Sequence, residues 1–145
     1  MNTIIALKGR RKLGKTQTIR TVDELLRAKY PDARVGHERR TKAQLRTVLT
    51  INDAKIGIDS QGDSLDLLVS AGCEIIICAT RTSGGAFTAV NTLPGYDVVW
   101  LEQQAQSAPF EQVLNNLAMA RHIAEETEKA LTTARPAALS RAASG

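Results

Sequence analysis

The most informative stretch of the chain is TIIALKGRRKLGKT, residues 3–16. Its first part, Thr3–Lys8, is a short apolar run, a pattern typical of a buried strand. Its second part, Gly9–Thr16, matches G-x-x-x-x-G-K-[S/T] at every fixed position. From Thr16 to Lys29 apolar residues recur at helical spacing, and Pro31 follows. The sequence therefore predicts a strand, a glycine-containing loop and an amphipathic helix in immediate succession.

The spacing within the loop suits a phosphate group. Glycine lets the backbone turn tightly or approach an anion without a Cβ atom, so that successive N–H groups point inward. The free N–H groups and the positive dipole end of the following helix add to the attraction. We expect Lys15 to reach the β- and γ-phosphates of a nucleotide and the Thr16 hydroxyl to bind Mg²⁺. The predicted nucleotide-binding residues are Gly9, Arg10, Arg11, Lys12, Leu13, Gly14, Lys15, Thr16 and Gln17.

On these residues the chain resembles the P-loop NTPase superfamily. The motifs match at Gly9–Thr16 and, more weakly, at Ile56–Gly62, whereas the order of elements matches from Thr3 to about Glu102. The resemblance implies that the protein binds a nucleoside triphosphate together with Mg²⁺. The N-K-x-D motif with which GTPases read guanine is missing, since WLEQ stands at 100–103, so we expect ATP rather than GTP.

A second feature is the apolar strand Ile56–Asp59, which ends in an acid. In P-loop proteins such an aspartate holds Mg²⁺ beside the phosphate loop, and Asp59 is the candidate here. The segment Asp59–Gly62 also fits D-x-x-G, which resembles the γ-phosphate-sensing switch of GTPases. Asp63 competes with Asp59 as the functional acid, and its structural alternative is the role of a helix cap.

Two details of the sequence bear on the division of the superfamily. Asp59 is followed by Ser60, whereas ring-forming and RecA-like ATPases usually carry a glutamate there. The segments Leu45–Ile51 and Lys55–Asp59 are predicted to form an antiparallel hairpin. This hairpin resembles the GTPase-and-kinase division.

Strand-like and helix-like segments alternate along the chain. Strands are predicted at 3–8, 45–51, 55–59, 74–80 and 97–102, and helices at 16–29, 64–71, 86–93 and from about 107 onward. The alternation predicts a three-layer α/β fold, with a mostly parallel sheet of about five strands, helices on both faces and one antiparallel edge strand, 45–51. The long last helix is expected to cover the core with the side that carries Phe110, Val113, Leu114, Leu117, Arg121, Ala124 and Leu131. Residues 1–131 are expected to form a P-loop nucleotide-binding domain, and residues 132–145 a disordered tail.

Arg81 follows the most apolar strand of the chain and is succeeded by a loop with two glycines. Ligands of open parallel sheets bind beyond the carboxyl ends of the strands, so we expect Arg81 to point toward the phosphates or a second substrate. The candidate catalytic residues are therefore Lys15, Asp59 and Arg81, and the candidate metal ligands are Thr16 and Asp59. Gln61 and Asp63 are further candidates for activating water.

The chain of 145 residues carries a formal net charge of +4. Its positive charges cluster at 8–15 and 34–46, and such clusters attract a nucleotide, a nucleic acid or an acidic protein partner. Aromatic residues make up only 3%, which argues against a base-stacking platform. No apolar run is long enough to cross a bilayer and no leader is visible, so we expect a cytoplasmic protein without a membrane partner.

These features favour Mg²⁺-dependent ATP hydrolysis. The first alternative is a small-molecule or nucleotide kinase, although the segment between Thr80 and Asp97 leaves little room for a lid over an acceptor. The second alternative is a nucleotide-dependent module that binds nucleic acid or another protein through its basic clusters. Release of ADP without an acceptor would distinguish hydrolysis from both alternatives.

Overall fold

Ten elements follow one another in the computed structural model, which describes residues 2–9, 14–104 and 108–134. The strands are β1 (Asn2–Lys8), β2 (Arg34–Arg40), β3 (Leu45–Ile51), β4 (Ala54–Asp59), β5 (Ile75–Thr80) and β6 (Tyr96–Glu102). The helices are α1 (Lys15–Lys29), α2 (Leu65–Ser70), α3 (Gly85–Thr92) and α4 (Pro109–Ala134). The predicted loop residues Arg10, Arg11, Lys12 and Leu13 lie outside the described residues. Of the predicted tail, 132–134 belong to α4, and 135–145 also lie outside.

The strands form one sheet in the order β2-β3-β4-β5-β1-β6. β1 pairs in parallel with β5 and β6, and β5 pairs in parallel with β4, whereas β3 runs antiparallel to both of its neighbours. The α/β class and the mostly parallel sheet are thus confirmed. Two details were wrong, because the sheet has six strands rather than about five, and the antiparallel strand β3 lies inside the sheet rather than at its edge.

The edge position belongs to β2, which the sequence pattern did not predict as a strand. Its seven residues read RVGHERR, and all except His37 are exposed. A strand of this composition buries almost nothing itself, so no apolar periodicity reveals it. Its backbone pairs along β3 instead, with an irregularity between Val35 and His37.

The predicted hairpin of β3 and β4 is confirmed. Ile51 pairs with Ala54, and only Asn52 and Asp53 connect the two strands. Both connecting residues have positive φ, +50° and +67°. A two-residue turn of this kind matches the twist of the strands, and Asn and Asp tolerate its left-handed backbone.

The core consists of two apolar clusters, one on each side of the sheet. We call the side covered by α1 and α4 the α1 face, and the side covered by α2 and α3 the α2 face. On β1, Ile5 and Leu7 point to the α1 face, whereas Ile4 and Ala6 point to the α2 face. This central strand is buried on both sides, which explains why its sequence is continuously apolar instead of alternating.

Helix α4 packs mostly with residues other than those predicted, although Leu131 of the predicted side is buried. Its apolar residues Phe110, Val113, Leu114 and Leu117 are exposed, Phe110 to 72%. The buried positions are Asn116, Ala120, Ile123, Thr127 and Leu131. The small side chain of Ala120 permits close approach to the sheet, and hydrogen bonds hold Asn116, so apolar content alone did not identify the packed side. In the described part of the chain, no helix combines the length and apolarity needed to cross a membrane.

Candidate functional site

A cavity of about 720 Å³ opens where β4 and β5 end and α1 begins. Its volume is in the range of small-molecule binding sites. Its position fits the expectation that ligands of such sheets bind beyond the carboxyl ends of the strands. The lining residues are Gly14, Lys15, Thr16, Gln17, Arg20, Lys42, Ser60, Gln61, Asp63, Ala79, Thr80 and Arg81.

The first wall of the cavity is the start of α1. Gly14 precedes the helix with a φ of +83°, and Lys15, Thr16 and Gln17 form the first turn. No acidic residue lies in that turn, so the positive end of the helix dipole is not compensated by a carboxylate of the same turn. The Nζ atom of Lys15 donates a hydrogen bond to the carbonyl oxygen of Gly9, 2.6 Å away. The lysine side chain therefore connects the start of α1 to the residue that follows β1.

The second wall consists of residues that follow β4 and β5. Arg81 comes directly after β5 and lines the cavity, as its position in the sequence predicts. The N–H of Gly9 donates to the carbonyl oxygen of Thr80 over 3.1 Å, which ties the beginning of the loop to the end of β5. This hydrogen bond fixes the position of the end of β1 relative to the end of β5.

Lys15 and Arg81 repel each other across the cavity. Burial lowers the pKa of Lys15, and the positive charge of Arg81 lowers it further. Two cations facing one cavity raise each other's energy, and an anion placed between them removes that penalty. The electrostatics of the cavity therefore favour a ligand with several negative charges.

Asp59 does not line this cavity. Its side chain is buried, and its carboxylate accepts hydrogen bonds from the N–H groups of Gln61 (3.0 Å) and Ser64 (2.9 Å). Burial raises the pKa of Asp59, and those N–H groups oppose the shift. The carboxylate thus organises the turn after β4, and β5 separates its strand from β1.

Asp63 lies in the cavity in its place. Together with Thr16 it presents a carboxylate and a hydroxyl, both hard oxygen ligands of the kind that Mg²⁺ prefers. Gln61 also lines the cavity. Gly62, the glycine of the D-x-x-G pattern, has its N–H near the carboxylate of Asp59, and a Cβ atom on it would lie 2.3 Å from the carbonyl oxygen of Ala79. Gly62 therefore closes the turn against β5.

Five residues of the cavity were not predicted from the sequence, and two of them, Arg20 and Lys42, are charged. The guanidinium of Arg20 donates to the carbonyl oxygens of Thr41 and, at 3.3 Å, of Gln44. It thereby fastens the β2–β3 connection to α1, which brings Lys42 to the cavity. The only signal for Lys42 was its place in the second basic cluster, and Arg20 lies one helical turn after Thr16 on α1.

A buried polar network supports the loop from the α1 face. Thr18 Oγ1 lies 3.0 Å from the carbonyl oxygen of Gly14 and 3.2 Å from Gln103 Oε1. Gln103 Nε2 in turn donates to Asn116 Oδ1 of α4 over 2.7 Å. A Cβ atom on Gly14 would come within 2.5 Å of Asn116 Nδ2. Glycine is thus required at this position both by the positive φ and by the approach of α4.

Comparison of the chain with protein-family models, curated proteins and solved structures finds no match. Among the described residues, no group of three or more His, Cys, Asp or Glu side chains could hold a metal ion.

Proposed function

We propose that the protein binds a nucleoside triphosphate, ATP in preference to GTP, with Mg²⁺, and hydrolyses its terminal phosphate. The observation that supports this proposal best is the shared cavity of Lys15, Arg81 and the first turn of α1. A helix N-terminus with two converging cations suits a chain of phosphates better than a singly charged ligand. The G-x-x-x-x-G-K-[S/T] match at Gly9–Thr16 agrees with that chemistry.

Each residue has a separate part in the proposed reaction. Lys15 and the helical N–H groups bind the phosphates and stabilise negative charge as the terminal phosphoryl group leaves. Arg81 adds a guanidinium from the opposite wall, where it gains most as charge shifts during transfer. Gln61 and Asp63 lie where they could orient the attacking water.

The proposed Mg²⁺ is held by Thr16 and Asp63. Both line the cavity, whereas Asp59 is engaged with the backbone of its own turn. When bound, the cation would supply positive charge that offsets the negative charge of the phosphates. The distinction between the two aspartates is tested below.

A second candidate function is phosphoryl transfer to an anionic acceptor. Arg20 and Lys42 extend the positive lining beyond the phosphate loop, which is more cationic surface than a triphosphate needs for its own contacts. A negatively charged acceptor would bind there. A cytoplasmic location, which we also propose, would supply the nucleotide for either reaction.

The decisive experiment measures ATP binding by calorimetry and release of ADP and inorganic phosphate, with and without Mg²⁺. Hydrolysis without any added acceptor supports the first proposal. Release of ADP only when nucleoside monophosphates or sugar phosphates are added favours the kinase. Absence of ATP and GTP binding in the presence of Mg²⁺ would refute both.

A further inference from the structure

The arginines of the second basic cluster divide between the two sides of the sheet. On the α1 face, Arg27 of α1 bonds to Asp23 (2.8 Å) and to Glu38 of β2. Arg40 lies 2.9 Å from Asp23 and 3.5 Å from Glu38 on the same face. Positive and negative charges thus balance there, and this half of the cluster has a structural role.

The α2 face of the same two strands carries positive charge without acids. Arg34, His37 and Arg39 of β2 lie opposite Thr50, Val48 and Arg46 of β3, on the side to which Val48 points. We call the residues Arg34, His37, Arg39 and Arg46 the basic sheet face. Within the part of the chain that the structure describes, neither Arg34 nor Arg39 forms an ion pair.

Arg39 and Arg46 stand directly opposite each other on neighbouring strands. Like charges in this position destabilise a sheet, since their side chains are the closest cross-strand neighbours. The guanidinium of Arg46 donates to His37 Nε2 (3.3 Å) and Ser64 Oγ (2.5 Å), neither of which is negatively charged, and the buried Asp59 is its cross-strand partner on β4. Arg39 is exposed and has no acid opposite it, so the unbalanced charge lies on β2. An external anion would remove the repulsion.

The basic sheet face has the length and direction of a backbone-binding strip. Arg34 to Arg39 span five residue steps, about 16 Å along a strand. Along the axis of a DNA duplex, each strand carries about five phosphates over that distance. β2 runs parallel to β4, so the row leads from Arg34 past Arg39 toward Lys42 at the cavity.

We propose that the basic sheet face binds the phosphate backbone of a nucleic acid. Charge complementarity supports this occupant: the exposed residues are arginines in a row, no acid interrupts it among the described residues of β2 and β3 on that face, and no aromatic ring is there to stack on bases. Binding is accordingly independent of base sequence. The inference does not depend on the nucleotide site, because Arg34 and Arg39 do not line the cavity.

The test measures fluorescence anisotropy of two fluorescein-labelled probes, a short DNA duplex and an RNA single strand of the same sequence, between about 50 and 200 mM salt. The double variant Arg34→Glu/Arg39→Glu should bind the preferred probe roughly tenfold or more weakly, and the slope of log affinity against log salt should fall by about two. The matched control, Arg121→Glu/Lys129→Glu, changes the net charge equally on exposed positions of α4. It should lose less than about threefold.

Two measurements distinguish a folding defect from a binding defect. ATP turnover of the double variant should equal that of the wild type, since neither arginine lines the cavity. The unfolding midpoint should not fall below that of the wild type, because both arginines are exposed on an edge strand and Arg39→Glu removes the repulsion with Arg46. Preference for the duplex or for the single strand identifies the form of nucleic acid. The proposal is overturned if the wild type binds neither probe, if the control loses as much affinity as the double variant, or if polyglutamate competes as well as nucleic acid at equal charge.

Discussion

The two walls of the cavity differ in how their residues reach it. The first wall, Gly14–Gln17, is continuous in sequence and is positioned by one helix start. The second wall combines Ser60–Asp63 with Thr80 and Arg81, which follow two different strands. A local motif can specify the first wall, whereas the second exists only after β4 and β5 pair. Substitutions in each wall should therefore have separate effects on nucleotide binding, stability and turnover.

The largest effect is expected from the first wall. Lys15→Ala should weaken MgATP binding about ten- to a hundredfold, because hydrogen bonds between charged groups contribute about 1.5–3 kcal/mol and the phosphates lose their central cation. Calorimetry measures the dissociation constant. The matched control is Lys29→Ala at the other end of the same helix, which should bind like the wild type. Wild-type affinity in Lys15→Ala would contradict the phosphate-loop interpretation.

The two aspartates of the second wall should separate stability from turnover. Asp59→Asn should lower the free energy of unfolding by about 2 kcal/mol, because the buried carboxylate loses N–H partners and gains a donor that faces them. Urea unfolding followed through the single tryptophan, Trp100, measures this change. Asp63→Asn should leave stability unchanged and lower Mg²⁺-dependent turnover. The reverse pattern would return the metal-binding role to Asp59.

Arg81 tests whether the second wall takes part in the reaction. Arg81→Ala should lower kcat about tenfold, equivalent to about 1.4 kcal/mol, and change ATP affinity less. Arg81→Lys should recover part of the rate, since it keeps the charge but loses the planar fork. Steady-state kinetics with phosphate detection provide both values. A rate within about twofold of wild type in Arg81→Ala would show that the residue is a solvated loop side chain.

The smallest expected effect is on the pH dependence of ATP binding, through the electrostatic coupling of Lys15 and Arg81. The pKa of Lys15 lies below its usual value in the free protein, and bound phosphate, which favours the ammonium, should raise it. Affinity for ATP is then complete at neutral pH and declines as the pH rises through the lowered pKa of Lys15 in the free protein. In Arg81→Ala the decline should begin at higher pH, because one cause of the lowered pKa is gone. Identical profiles for both proteins would disprove the coupling.

The difference between the two walls also decides how much of the site could be predicted from the sequence. Lys15 and Thr16 were predicted from adjacent residues, and Arg81 from the rule that loops after parallel strands meet at one edge. The orientation of the Asp59 carboxylate, which does not line the cavity, could not be predicted, because hydrogen bonds with the residues that follow β4 determine it. β2 was not predicted as a strand for a related reason. It is held in place by pairing with β3 and by ion pairs with α1, and neither leaves a periodic pattern in its own residues.

The contact between Gly14 and Asn116 has a consequence for synthesis of the protein. The two residues are about one hundred positions apart, and the side chain of Asn116 lies against the backbone of Gly14. A ribosome therefore releases the whole of β1 and α1 long before the helix that supports their connection emerges. We expect a nascent chain arrested before α4 to lack nucleotide affinity although it already carries the complete loop motif. Acquisition of ATP binding would then report that the last helix has docked.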